Sequence, residues 1–322
     1  MKNMKKLITI LLILFSISTS FSQVTDKEAD LKKTNIDTLL GWKFGGVVGL
    51  NLNQTSLSDY WAAGGEKSLS INGMTSLFAN FKQTNYAWDN TLDLGYGKLK
   101  QGKSEFMKTD DKIDFSSKYG RKAYKSLFYA ALINFKSQFD EGFDYTKDST
   151  HAISKFMSPA WLVGAVGIDY KYKGIISVFV APLTSKITFV NDQLLADSGA
   201  FGVDPAEFST TGELISHGKN ERIELGGYLK IAYNQDVMKN IGIQSKLDLF
   251  SNYIENPDCI DVNWEVLLSL KINKYLTTNI STQIIYDDDT KFEISDDNGI
   301  VTGKGPRLQF KEILGIGLSF KF

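Results

Sequence analysis

The last seventeen residues, Pro306 to Phe322, read PRLQFKEILGIGLSFKF. In an extended chain, successive side chains point to opposite faces. Phe310, Glu312, Leu314, Ile316, Leu318, Phe320 and Phe322 therefore share one face, and Gln309, Lys311, Ile313, Gly315, Gly317, Ser319 and Lys321 share the other. The first face is apolar except at Glu312; the second is mostly small or polar. A strand of this pattern that ends on an aromatic, with another aromatic two residues earlier, has the form of the closing strand of an outer-membrane β-barrel. It is expected to pair back to the first strand and so leave no open sheet edge.

Working outward from that strand, the same alternation recurs eleven times. Trp42, Phe44, Val48 and Leu50 oppose Lys43, Gly49, Asn51 and Asn53 in a run from about Trp42 to Asn53; Leu69, Ile71, Leu77 and Phe81 oppose Asn72, Ser76 and Asn80 in the next. The third sets Trp88, Leu92 and Leu94 against Asp89 and Asp93, and the fourth, Lys112 to Arg121, sets Ile113, Phe115 and Tyr119 against Asp114 and Lys118. Leu127 to Asp140 places Asn134, Lys136 and Gln138 on its polar side, and a sixth run carries Asp169 and Lys171. Ile175 to Phe189 contains Pro182, which cannot donate a ladder hydrogen bond, so a bulge is expected there. Four more runs place Glu224 and Lys230, then Gln244, Lys246 and Asp248, then Glu265 and Lys271, then Asn279, Ser281 and Gln283 on their polar faces. With the terminal strand, the expected count is twelve.

Which face turns outward follows from energetics. A charge on the lipid face at mid-bilayer costs about 2 to 4 kcal/mol, so the charged side is the inner one. Asp93, Lys136, Glu224, Lys230, Lys246, Asp248, Glu265, Lys271 and Lys311 are the expected lumen-lining charges. Glu312 breaks the rule; a bulge, an interfacial depth or a protein contact would each accommodate it. Alternate connections are short, centred on Asn85, Lys125, Lys173, Met238 and Tyr275, whereas most of the others are long and carry Trp61, Tyr145, Phe201, Pro257 and Asp296. Short periplasmic turns and long extracellular loops give this asymmetry, which a soluble sandwich has no reason to show. The expected fold is all-β: a single antiparallel transmembrane barrel over residues 41–322.

Ahead of it, Met1 to Ser22 has lysines at positions 2, 5 and 6, an apolar core from about Leu7 to Ile17 and Ser20-Phe21-Ser22 before Gln23, the pattern of a secretory signal peptide; a single-span anchor is the lesser alternative. Gln23 to Leu40 is polar and charged, as expected of a periplasmic lead-in. Lys and Arg total 36 against 37 Asp and Glu, a balance that gives no case for a nucleic-acid partner. The single cysteine, Cys259, has no partner for an intramolecular disulfide.

The segment from Gly41 to Phe81, GWKFGGVVGLNLNQTSLSDYWAAGGEKSLSINGMTSLFANF, resembles the opening of the domain-of-unknown-function 3078 family of Bacteroidetes-type secreted and outer-membrane proteins. Asn53-Gln54-Thr55-Ser56 and Trp61-Ala62-Ala63-Gly64-Gly65-Glu66 carry most of that resemblance, and IISVFVAPLTSK, Ile175 to Lys186, is similar to a later family segment. The resemblance, taken to extend from Gly41 to Phe322, implies an outer-membrane location and fold; it supplies no catalytic residues.

Functional expectations follow from the barrel. The mixed inner charges serve either a permeation path for small solutes or a closed, salt-bridged lumen that inward Phe78, Phe128, Tyr228 and Phe250 help to fill. A passive channel leads, and a non-conducting barrel that binds a protein partner is its rival. Tyr60, Trp61, Gly64 and Gly65 form a candidate loop-folding or binding segment. A membrane-embedded lipid hydrolase is a minor alternative, because His151 and His217 lie in long loops and only His217 has a serine, Ser216, beside it. Acidic Asp287-Asp288-Asp289 and Asp296-Asp297-Asn298 lack calcium-loop spacing and suit a face bridged to lipopolysaccharide by divalent ions. No enzyme activity, cofactor or resident metal is expected.

Overall fold

The computed structural model describes residues 40–58, 65–145, 148–173, 175–273, 276–295 and 301–321. The leader and nearly all of the lead-in lie outside the described residues, as do Tyr60, Trp61, Gly64 and Asp296 to Asn298. Eighteen strands occur among the described residues, in chain order β1 (Gly41–Thr55), β2 (Ser68–Lys82), β3 (Tyr86–Gln101), β4 (Met107–Tyr124), β5 (Leu127–Ser137), β6 (Gly142–Asp144), β7 (Asp148–Ser154), β8 (Ala160–Tyr172) and β9 (Ile176–Phe189). After a five-residue helix α1 (Gln193–Asp197) come β10 (Glu207–Phe208), β11 (Leu214–Ser216), β12 (Glu221–Met238), β13 (Ile241–Asn252), β14 (Ile260–Lys271), β15 (Leu276–Tyr286), β16 (Lys291–Ser295), β17 (Val301–Pro306) and β18 (Gln309–Lys321). The long strands pair in a ring ordered β1-β18-β15-β14-β13-β12-β9-β8-β5-β4-β3-β2, every pairing antiparallel. The terminal strand meets the first, with Val47 opposite Lys321 and Asn51 opposite Gly317. Among the described residues no helix is long and apolar enough to cross a membrane.

The periodicity of two decides which side chains go where. Phe310 is 63% exposed and Leu314 61%, while Lys311 turns inward to Asp110. Trp42, Phe44, Ile133, Val166, Ile168 and Ile223 stand on the same outer surface. The outer face is thus a nearly continuous apolar belt, far larger than the few hundred Å² that a monomer in water usually leaves uncovered. Its polar groups are tied to neighbours on the same face: the Trp88 indole N–H donates to Ser117 Oγ at 2.8 Å, and that of Trp264 to Ser245 Oγ at 2.9 Å.

Pro182 does interrupt the ladder. Beside β8, Val166 faces Leu183 and Ile168 faces Val180; beside β12, Gly226 faces Thr184 and Tyr228 faces Ala181. One extra residue on β9 reverses the parity of everything after it. Phe179 and Ala181 are buried before the bulge, and Thr184, Lys186 and Thr188 after it, while Val180 and Leu183 are exposed. Gly167 sits under the bulge so closely that a Cβ there would fall 1.9 Å from the Val180 carbonyl oxygen. Only glycine fits at that approach.

One end of the ring has tight connections at residues 83–85, 125–126 and 239–240. The long connections at the other end are not plain loops, because three of them carry the hairpins β6-β7, β10-β11 and β16-β17. β4 runs well beyond the expected Lys112 to Arg121 at both ends.

Candidate functional site: the ion-paired lumen

Inside the ring, charges of opposite sign meet from strands that are not neighbours. Lys112 on β4 donates to both carboxylate oxygens of Glu265 on β14, at 3.0 and 3.1 Å. Lys246 on β13 reaches Asp93 on β3 at 3.3 Å, and Ser76 also donates to Asp93. β4 and β14 stand six places apart whichever way the ring is followed, and so do β3 and β13. Two ion pairs therefore bridge diametrically opposed walls. Asp248 gathers a second group, accepting from the Tyr228 hydroxyl at 2.6 Å, Lys230 at 2.9 Å and Lys136 at 3.4 Å.

Along one side of the ring, the space inside β5, β8, β9, β12 and β13 is filled. Ala130, Leu132, Ala165, Phe179, Ala181, Tyr228 and Phe250 pack together with Val163 against them. Beside this plug Lys118 donates to Asp169 at 2.7 Å, and Lys171 donates to Asp89 at 3.1 Å. Lys171 also lies over the Phe128 ring, so a third of the expected inward aromatics helps to close this side.

Among the described residues, two cavities lie against the Lys112–Glu265 pair. The smaller, about 170 Å³, is lined by Asn51, Asn72, Asp93, Gln244, Lys246 and Asn279 among others. The larger, about 350 Å³, extends toward the loop end past Trp161, Lys186, Tyr228, Phe250, Asp261 and Tyr286. Their linings have two residues in common, Lys112 and Glu265. The ion pair is thus the wall between them. Two inward glycines make room for the amides of the smaller cavity: a Cβ on Gly97 would meet Asn72 Oδ1, and one on Gly317 would meet Asn51 Oδ1, each at 1.9 Å.

At the loop end, Lys186 bridges Asp261 at 2.7 Å and Glu224 at 3.4 Å, and Arg222 joins Asp289 at 2.7 Å and Glu255 at 2.8 Å. Asp289, one of the expected acidic triplet, is therefore spent on an arginine. Among the described residues no group of three or more His, Cys, Asp or Glu side chains is placed to hold a metal ion. In the connection from β9 to β12, Asp192 caps α1 by accepting from the Leu195 N–H and pairs with Lys155 at 2.8 Å. Lys155 and that N–H hold the Asp192 carboxyl below the usual carboxylate range. Asp197 is likewise lowered, by Gln193 first and then by His217 and the Gly218 N–H.

The lumen residues expected from sequence divide by depth. Asp93, Lys136, Lys246, Asp248, Glu265 and Lys311 line one or both cavities. Glu224 and Lys230 are held in the networks beside them, while Lys271 closes the turn end of β14 and lines neither cavity. Lys112, Asp114, Lys186 and Asp261 also belong to the charged interior. Alternation along β4 and β14 carried the signal for Lys112, Asp114 and Asp261; Lys186 was hidden by the parity change at Pro182. Of the loop segment, Gly65 is described, with φ of 117°. Glu312 faces outward opposite Thr282 in an unshifted register, which removes a bulge from its explanations. For the hydrolase alternative, His217 pairs with Asp197 at 3.0 Å and, among the described residues, makes no hydrogen bond to Ser216.

Residues 52–143 match the family described as protein of unknown function (DUF3078); the Ile175 to Lys186 segment lies beyond that match. No curated protein matches the sequence. Among solved structures, the chain is similar to the COG4313 outer membrane channel from Pseudomonas putida F1, at TM-score 0.38 and 10% identity over 89% of this chain and 97% of that one. It is also similar to the translocator domain of the autotransporter NalP from Neisseria meningitidis, at TM-score 0.33 and 10% identity over 92% and 93%. OprB of Pseudomonas putida aligns at TM-score 0.29 and 10% identity over 94% and 99%.

Proposed function

We propose that residues 1–22 export this chain, that residues 23–40 form a periplasmic lead-in, and that residues 41–322 make a twelve-stranded barrel in the outer membrane of a Gram-negative, Bacteroidetes-type bacterium. Its lumen passes small solutes when the ion-pair wall between its two cavities parts. The apolar belt supports the membrane setting, as do long strands of 11 to 18 residues where about 9 to 11 suffice to span. At the turn end Trp42 lies within 6 Å of Phe44, Phe81 and Trp88 by ring centroids of 5.5, 5.1 and 5.8 Å, the start of an aromatic girdle. The turns then face the periplasm, and the loops face outward among lipopolysaccharide. Glu312 is three residues from the loop end of β18, about 10 Å along the strand, a headgroup depth at which a carboxylate stays hydrated.

The observation that carries the permeation reading is that Lys112 and Glu265 are common to the two cavities. A lumen closed for stability alone is better filled with apolar side chains, since buried ion pairs give little or no net stabilisation over them. Ion pairs across water-sized spaces form a barrier that can separate and rehydrate. Single-channel recording of the detergent-folded protein in planar bilayers tests this. Wild type should be closed for most of the record, and Lys112→Met with Glu265→Gln should give long openings; closed traces from both, with folding shown by heat-modifiable gel migration, would overturn it.

A second reading, a non-conducting barrel that docks a protein partner, is favoured by the β9 to β12 connection, where Leu194 is 78%, Phe208 60% and Ile215 64% exposed. Neither reading involves catalysis.

A further inference from the structure

The smaller cavity differs from the rest of the lumen in the state of its polar groups. Its charges are already matched, Lys246 with Asp93 and Lys112 with Glu265. Of its carboxamides Asn72 is matched, donating to Ser70 and accepting from Thr109, but three others are not. Gln244 is 8% exposed and makes no hydrogen bond to another described residue; the side chain of Asn51, which is half-buried, makes none either. Asn279 Oδ1 is fully buried without a partner. An unsatisfied buried polar group costs about 1 to 3 kcal/mol, and native structures keep few of them. One such atom and two further unpartnered carboxamides around one space of about 170 Å³ mark a place for something that both donates and accepts hydrogen bonds.

We infer that this cavity is a binding site for a small neutral polyol. Each carboxamide offers an N–H₂ and a carbonyl oxygen, and each hydroxyl can answer either. No unpaired charge lines the space to select an ion, and its inward apolar side chains are Met74, Leu267 and Ile313 rather than the aromatic platforms on which a sugar ring would stack. An acyclic polyhydroxylated molecule fits that chemistry better than a charged or aromatic one. The site deepens the permeation reading by naming a solute class, and it rests on that reading only for what becomes of the molecule after it binds.

Saturation-transfer NMR on the detergent-folded protein, with ribitol as probe and ribonate as its charged counterpart, tests the site independently of conductance. Wild type should transfer saturation to ribitol in preference to ribonate. Gln244→Leu with Asn279→Leu should weaken ribitol binding at least about fivefold, the loss of one or more hydrogen bonds. Gln244→Glu, which keeps the shape, should shift preference further from ribonate and serves if the double variant fails to fold. No transfer to ribitol from folded wild type, as expected if ordered water alone fills the cavity, would overturn the inference, as would equal binding by the variants. Ribitol binding without any conductance would leave the site standing and remove permeation.

Discussion

Asp169 is 1% exposed and holds two lysines, Lys118 at 2.7 Å and Lys171 at 3.7 Å. Removing one member of such a group leaves buried charge uncompensated, so Asp169→Asn should lower stability by about 3 to 5 kcal/mol, read from urea unfolding in vesicles. An unchanged midpoint would mean that water reaches this end of the lumen. Asp192 behaves differently because it is only partly buried and acts on a loop. Its folded pKa is depressed below an unfolded value of about 3.9. The stabilisation is therefore complete above that unfolded value and is lost as pH falls through the depressed folded one. Hydrogen exchange across residues 190–220, corrected for intrinsic rates, should be slow at pH 7 and rise on acidification below about pH 4; Asp192→Asn should be fast already at pH 7 and flat with pH. At this scale the sequence disclosed residue types and faces, since Asp93, Lys136 and Lys246 could be turned inward by alternation alone. It did not disclose partners, because Lys112 and Glu265 are 153 positions apart and meet only through closure of the ring.

Among the elements, β9 shows how one residue sets a face. Deleting Pro182 would remove the extra residue and leave Ala181, Leu183 and Thr184 in uninterrupted alternation, so that Lys186, paired with Asp261 and Glu224, would stay inward. That deletion should retain the heat-modifiable folded band, as should Pro182→Ala, whereas deleting both Pro182 and Leu183, which turns Lys186 outward, should abolish it. Gly167→Ala should cost about 1 to 3 kcal/mol or more through overpacking against Val180. The bulge was legible because proline lacks an N–H, but its consequence for Lys186 was not, since the side on which a strand resumes depends on how many residues the bulge absorbs. The hairpins β6-β7, β10-β11 and β16-β17 were also missed. They are strands of 2 to 7 residues in polar connections, too short for alternation to stand out.

For the whole molecule, strand alternation and the asymmetry of connection lengths anticipated an all-β chain whose long strands close in a ring, because both are repeated many times and every repeat agrees. The state of the lumen was left open, since matched charges suit an open or a closed interior equally until distances are known. What most directly tests the outer-membrane reading is the orientation of the four described tryptophans. Trp42, Trp88 and Trp264 stand on the outer face at 48%, 42% and 42% exposure, while Trp161 lines the larger cavity. Single-tryptophan variants folded into vesicles of brominated phospholipid should show strong fluorescence quenching for the first three and little for Trp161. Equal quenching of all four, or quenching of Trp161 alone, would contradict an apolar outer face in lipid around an ion-paired lumen.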